Sequence, residues 1–259
     1  MTFELPKIGD LFDLTGKSAL VIGGTGSLAL AGAGASVALA GGNKEKLDEM
    51  VGGIKDAGGK ACGINLRPDS EENANSIIKE VLDNEGGLDI LVVASGFNKP
   101  GNAFETSLSD FDTVQDANVR QTWLICRAAG KAMIEQGRGG KIVITSSVRS
   151  QIAANNATAY CSSKAATDML TKCFAAEFGP NGINVNAVAP TVFRSQLTSW
   201  LYAEEGPGAE ERKKVLQRIP LGRLGEPEDF MGGLIFLSSS ASDFMTGHIM
   251  SMDGGFTAV

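Results

Sequence analysis

Tyr160 and Lys164 stand four residues apart in A-Y-C-S-S-K-A-A, a spacing that sets both side chains on one face of a helix. A phenol with an ordinary pKa near 10 is a poor proton donor at neutral pH, but an adjacent ammonium stabilises phenolate and moves it toward the working range. Such a group can protonate a carbonyl oxygen during reduction. Thirteen residues earlier, at the end of K-I-V-I-T-S-S, Ser147 is placed to hydrogen-bond the same oxygen while charge builds on it. The same Tyr and Lys on a solvated helix face would do no chemistry, so the surrounding elements decide between the two readings.

Those elements alternate. Short apolar, β-branched runs at 18–22, 36–40, 61–64, 88–93, 141–145, 183–188 and 249–252 read as buried strands. Helical patterns lie between them at 43–57, 70–84, 108–136, 157–178 and 227–238. The expected fold is α/β: a Rossmann-like, doubly wound parallel sheet of about seven strands with helices on both faces, all within a single domain spanning 1–259. Segment 191–220 is expected to be irregular and to cap the carboxyl edge of the sheet, where ligands of such folds bind. Only residues 23–35 separate the first two strands, leaving six or seven for a helix of about 10 Å, whereas the strand it runs back along spans about 16 Å. The first crossover helix is therefore shortened, either as a true stub or by residues missing from this chain.

With 259 residues, 43% of them apolar, one extended core can form. A net charge of -7 and no run of Lys or Arg argue against nucleic acid or an anionic membrane as partner. No stretch approaches the roughly 20 apolar residues of a membrane span, and residues 1–10 lack the pattern of a signal peptide, so the expected location is cytoplasmic. Cys62, Cys126, Cys161 and Cys173 lack C-x-x-C spacing; they read as buried free thiols, with no disulfide framework and no metal site.

Ser147, Tyr160 and Lys164 in this order resemble the catalytic triad of the short-chain dehydrogenase/reductase family, and the likeness covers most of the chain. L-T-G-K-S-A-L-V is similar to that family's opening strand, D-A-N-V-R to the helix bearing its catalytic Asn (here Asn118), and I-N-V-N-A-V-A-P to its sixth strand. R-I-P-L-G-R-L-G-E-P-E-D and T-G-H-I-M-S-M-D-G-G-F resemble its carboxyl-terminal third. The resemblance implies an oxidoreductase moving a hydride between NAD(P) and a hydroxyl or carbonyl of a small polar metabolite. It implies that Asn118 holds a water relaying protons to Lys164, and that Lys164 also binds the nicotinamide ribose. The backbone after Pro190, around Val192, would meet the carboxamide, with Ser195 at the hydroxyl position that follows. A homotetramer or homodimer is implied as well, through the long fifth and sixth helices and the last strand, with Asp253, Gly254 and Gly255 near that interface.

The pattern departs from the family at the phosphate cradle, T-G-x-x-x-G-x-G. In I-G-G-T-G-S-L-A only Gly23 matches cleanly, Ser27 and Ala29 occupy glycine positions with Leu28 between them, and a register shifted to Gly24 and Gly26 is the alternative. A stub helix also weakens the amide cluster and dipole that hold a pyrophosphate. V-A-S-G replaces the family's N-N-A-G, although Gly96 still lets the backbone lie beside the adenosine ribose. Gly41 fills the place of the acid that binds the ribose of NAD and repels NADP. Gly42 stands where an arginine would grip the extra phosphate, leaving Asn43 and Lys44 as substitutes. Asn65, followed by Leu66, holds the adenine-contact position. The expected cofactor is thus NADP or NAD, with a slight preference for NADP.

Substrate identity should lie after Ser147 and in 191–220. Arg149, Arg194 and Lys99 are candidates to bind a carboxylate beside Ser147 and Tyr160, and P-L-G-R-L-G-E-P is similar to the ending of gluconate and other sugar-acid dehydrogenases and of oxoacyl-thioester reductases. A sugar acid or a polyol is the expected substrate class. His248, the single histidine, reads as structural. Trp200 and Tyr202 line the substrate pocket or anchor a lid to the core. The rival reading is a non-catalytic binding or scaffold protein that kept the fold and lost the cofactor.

Overall fold

The computed structural model describes residues 7–24, 26–195 and 198–259. Seven parallel strands, β1 (Ser18–Ile22), β2 (Ser36–Ala40), β3 (Lys60–Ile64), β4 (Ile90–Val93), β5 (Gly140–Thr145), β6 (Ile183–Pro190) and β7 (Ile249–Met252), form one sheet in the order β3-β2-β1-β4-β5-β6-β7. Continuous apolar runs suit this arrangement because both faces are covered. Leu20, Ile22, Leu91, Val93, Ile142 and Ile144 face one apolar layer, and Ala19, Val21, Ile90, Val92 and Val143 face the other. The order reverses between β1 and β4, which opens a crevice at the carboxyl ends of the strands.

The helices are α1 (Ser27–Gly32), α2 (Lys44–Asp56), α3 (Glu71–Glu85), α4 (Leu108–Gln115), α5 (Gln121–Gln136), α6 (Thr158–Phe178), α7 (Pro207–Leu216) and α8 (Pro227–Ser238). Asn43, Ser70 and Ser107 cap α2, α3 and α4 by accepting from backbone amides. Three expectations need correction. The stretch 108–136 is not one continuous helix: a single turn of π-helix at Asp116–Arg120 joins α4 to α5, the kind of bulge that recurs at functional sites. Segment 191–220 is not wholly irregular, since it contains α7, which begins with Pro207 at its first position and buries only Gly208, Ala209 and Val215. Its remaining sequence is too polar to show an apolar face. Of the four cysteines only Cys126 is buried; Cys62 and Cys161 are half-buried and Cys173 is exposed. No helix among the described residues is long and apolar enough to cross a membrane.

The first crossover is as short as its sequence implies, with six residues in α1. Glycines make the turns at both ends. Gly23, Gly24 and Gly26 lead out of β1 at φ 104, 106 and 93°, and Gly34 returns the chain at φ 101° against Thr15. Leu30 buries the one apolar face of the stub against the core. A Cβ on Gly26 would both strain the left-handed backbone and collide with Cδ2 of the fully buried Leu234 on α8. Gly26→Ala is accordingly expected to lower stability by about 1–3 kcal/mol, or roughly 2–4 °C in thermal midpoint per kcal/mol. Calorimetry showing an unchanged midpoint would contradict this packing.

Candidate active site

Ser147 lies just beyond β5 and Tyr160 and Lys164 lie one turn apart near the start of α6. Burial is the rule here: Ser147 is 7% exposed, Lys164 3% and Asn118 1%. The Ser147 hydroxyl accepts from the Arg149 amide at 3.2 Å. Lys164 Nζ donates to the Thr145 carbonyl at 2.8 Å. Asn118 sits in the π turn; its Nδ2 donates to the Phe97 carbonyl at 2.8 Å and to Ser163 Oγ at 2.9 Å, and its Oδ1 accepts from the Phe97 amide at 2.8 Å. Ser163 precedes Lys164 on α6, so one side chain ties the π turn to the helix that carries the pair. Gly96 closes the group. A Cβ there would lie 3.5 Å from Lys164 Nζ and 3.6 Å from Asn118 Oδ1.

The electrostatics differ from the sequence expectation. Burial pushes the Tyr160 phenol up, and the downward pull comes from Ser147 and Arg149 rather than from Lys164. Lys164 Nζ is 5.8 Å from the phenol ring centroid and turned toward Thr145. Burial pushes Lys164 itself down to about 8, with Asp168 opposing. Asp168, one turn further along α6, accepts from the Ser146 hydroxyl. Both members of the pair are therefore biased toward their neutral forms.

The residues expected to hold a dinucleotide line the same edge of the sheet. Gly23 leaves β1 so close to the end of β4 that a Cβ would meet the Ser95 amide nitrogen at 2.8 Å. Ser27 is fully buried with its hydroxyl turned back onto the Gly24 carbonyl at 2.8 Å, while Leu28 is 55% exposed. Gly42, Asn43, Asn65 and Leu66 follow β2 and β3. The Asn43 side chain accepts from the Lys46 amide at 3.0 Å and Lys44 pairs with Asp48 at 2.8 Å, so both proposed substitutes for a phosphate-binding arginine are engaged locally. A residue the sequence reading missed lies there: Arg67 crosses over Gly42, where a Cβ would overlap its Nε and lie 3.0 Å from its Cζ. Twenty-five residues separate the two, and no spacing rule links them.

Beyond β6, Pro190 ends the strand, the Val192 carbonyl accepts from the Gly225 amide at 2.9 Å, and Ser195 is bonded to Thr198. Arg194 does not face an open site: Glu226 holds it at 2.9 and 3.3 Å and its guanidinium lies 4.0 Å over the Tyr202 ring. Lys99 is likewise paired with Asp110 at 2.6 Å. Tyr202 thus anchors its segment, while Trp200 is 53% exposed. The His248 amide donates to Asn186 at 3.0 Å.

The residues fit a dinucleotide at both of its ends. At one end the Thr145 hydroxyl is buried without a partner beside Lys164; at the other, Arg67 lies over Gly42, with no carboxylate among the described residues paired to it. The strand order and this edge together define an NAD(P)-dependent oxidoreductase with a Rossmann-like sheet. A sequence profile described as Enoyl-(Acyl carrier protein) reductase matches residues 20–257. The chain belongs to the short-chain dehydrogenase/reductase family. It is similar to a Mycobacterium tuberculosis protein named an uncharacterized oxidoreductase, at 49% identity over 98% of this chain and 97% of that one. It is also similar to gluconate 5-dehydrogenase of Gluconobacter oxydans, at 34% identity over 96% and 97%. Among solved structures, a gluconate 5-dehydrogenase from Burkholderia cenocepacia in complex with NADP and tartrate superposes with a TM-score of 0.91 at 29% identity, covering 97% of this chain and 99% of that one. The alignment to the Mycobacterium protein spans 265 positions, more than the 259 residues here, so that relative carries residues this chain lacks.

Lys164 yields a prediction about stability. Its folded pKa lies below the unfolded value, so between about pH 8 and the unfolded pKa the unfolded chain binds the extra proton and stability rises with pH. Below about pH 8 the buried ammonium is destabilising. Lys164→Met should raise the thermal midpoint at pH 7, with the gain shrinking above pH 8, while turnover is lost; a midpoint that falls at pH 7 would show the lysine to be stabilising instead.

Proposed function

We propose that this enzyme interconverts a secondary alcohol and its ketone in a small polar metabolite, a sugar acid or a polyol, through Ser147, Tyr160, Lys164 and Asn118. The observation that carries this reading is the set of buried polar side chains gathered at the sheet edge: Lys164 bonded to the Thr145 carbonyl, Asn118 bonded to Ser163 beside it on α6, and Ser147 near enough to favour the Tyr160 phenolate. Bound nicotinamide supplies or accepts the hydride. Ser147 holds the reacting oxygen, Tyr160 gives or takes its proton, Ser147 and Arg149 favour the phenolate when that proton leaves, and Lys164 would hold the nicotinamide ribose. Asn118 ties the π turn to α6 and so holds Lys164 in line. A scaffold protein would have no use for an ammonium kept 3% exposed beside a phenol, so the catalytic reading is preferred to the non-catalytic one.

For the cofactor, Gly23, Ser27 and Leu28 would lie along the pyrophosphate, Asn65 and Leu66 at the adenine, and Gly96 and Lys164 at the ribose nearer the reaction. Pro190, Val192 and Ser195 would meet the carboxamide. NADP is the preferred form, and Arg67 over Gly42 supports the preference, since an arginine near the adenosine ribose suits its phosphate. Segment 191–220 caps the site within the single domain. Phe111, Trp123 and Met169, exposed on α4, α5 and α6, are apolar side chains through which copies would assemble as a homotetramer or homodimer. A cytoplasmic setting suits such an enzyme.

Tyr160→Phe should lower kcat by about 10²–10⁴-fold while leaving NADPH binding intact, and a variant retaining wild-type kcat would remove the phenol from the mechanism. Arg67→Ala should weaken NADPH about ten-fold, or about 1.4 kcal/mol, and leave NADH unchanged; nicotinamide fluorescence titrations of both cofactors check this, and equal loss for both would assign Arg67 no part in selection.

A further inference from the structure

Phe256 is 1% exposed, yet its ring carries two cations: Arg218 Cζ lies 4.2 Å and Arg149 Cζ 5.3 Å from its centroid. The ring is rigidly set. Asp253 accepts from the Gly255 and Thr257 amides at 2.9 Å each and from the Thr257 hydroxyl at 2.6 Å, closing the turn that holds Phe256. Val148, Val215, Ile219 and Leu224 pack around it. Stacking on an aromatic face orients a guanidinium and removes much of its rotamer freedom before any ligand arrives.

Two like charges on one ring repel, and no ion pair among the described residues offsets them. Arg120, Arg127, Arg138, Arg194 and Arg223 each pair with a carboxylate. Arg149 and Arg218 pair with none among the described residues. The polar contact of the Arg149 guanidinium is with the Ala153 carbonyl at 3.1 Å. Glu211, whose charge reaches Arg149, is held by Lys214 at 3.3 Å. Burial lowers the proton affinity of Arg149, Cys161 opposes this, and Arg218 lowers it further. An anion reached by both guanidinium groups would relieve both the repulsion and the hydration that Arg149 loses on burial, and their planar forks match a carboxylate.

The position of the pair gives it a use. Arg149 follows Ser147 by two residues, its amide donates to the Ser147 hydroxyl, and its charge acts on the Tyr160 phenol. We propose that Arg149 and Arg218, held on Phe256, bind the carboxylate of the substrate, which is therefore a hydroxy acid or its oxo form and not a neutral polyol. This rests on the reading of Ser147 and Tyr160 as the reacting centre. A carboxylate on the two arginines places the rest of a short hydroxy acid along the side of the site where Ser147 and Tyr160 meet its oxygen.

The test is calorimetric titration with tartrate and with erythritol, a dianion and a neutral polyol of the same carbon number, each with and without NADP. Wild type should bind tartrate more tightly than erythritol. Arg149→Gln and Arg218→Gln should each weaken tartrate ten-fold or more with erythritol and NADP binding unchanged, and Arg218→Lys should recover part of the loss. Tartrate binding that is undetectable in wild type, no tighter than erythritol, or undiminished in Arg218→Gln overturns the proposal. If wild type binds no NADP, the functional reading fails by itself. The cofactor-free tartrate titrations then still decide on the clamp, because Phe256 positions both arginines without a dinucleotide.

Discussion

An ammonium at 3% exposure has little water to solvate it, and the Thr145 carbonyl at 2.8 Å is what holds Lys164 in that position. Much of the molecule can be understood as the means of presenting that carbonyl. β5 is central in the sheet, paired with β4 and β6, and its register with β6 ends at Thr145, where its carbonyl is left facing the crevice. The 21-residue α6 packs its buried face, including Thr167, Thr171 and Phe174, beside the same strands and so cannot slide relative to them. Once Lys164 is anchored, helical geometry sets Tyr160 one turn away, and Ser163 lies next to the Asn118 amide. The energetic disadvantage of the buried charge is a local sacrifice of stability of the kind found where chemistry is done.

The first crossover shows how much of such a fold can be removed. Six helical residues bridge β1 and β2 because left-handed glycines at both ends let the chain reverse in little space, while the parallel register of the two strands, Ser18 opposite Ser36, is kept. What is lost is local to the glycine turn after β1, where a longer helix would aim more amides at a pyrophosphate. The proposed ends of a dinucleotide site belong to other elements: Gly96 and Lys164 on one side, Gly42 and Arg67 on the other.

The distribution of arginine partners separates structural cations from available ones. Arg194, named by the sequence as a substrate ligand, bridges Glu226 and Tyr202 and so fastens the 191–220 segment to the start of α8. Arg149, named on the same grounds, has no such carboxylate among the described residues. Sequence position near the crevice was equal evidence for both, and only the placement of Glu226 distinguishes them.

The strands, the parallel α/β class, the Tyr160 and Lys164 pairing and the shortness of α1 were all legible in the sequence. Each depends on periodicity or on counting residues between neighbours, which local chain geometry enforces. The π turn at Asp116–Arg120 was not legible, since nothing in D-A-N-V-R marks an extra residue in a helical turn. Nor was α7, whose polar Glu and Lys residues hide a helix held by few apolar contacts. The sequence by itself determined which side chains could do chemistry and on which elements they ride. Only the tertiary structure decided that Tyr160 is tuned by Ser147 and Arg149 rather than Lys164, that Arg67 covers Gly42, and that Arg149 and Arg218 share Phe256. The reason is physical: burial and long-range contact set those interactions, and neither is a function of separation along the chain.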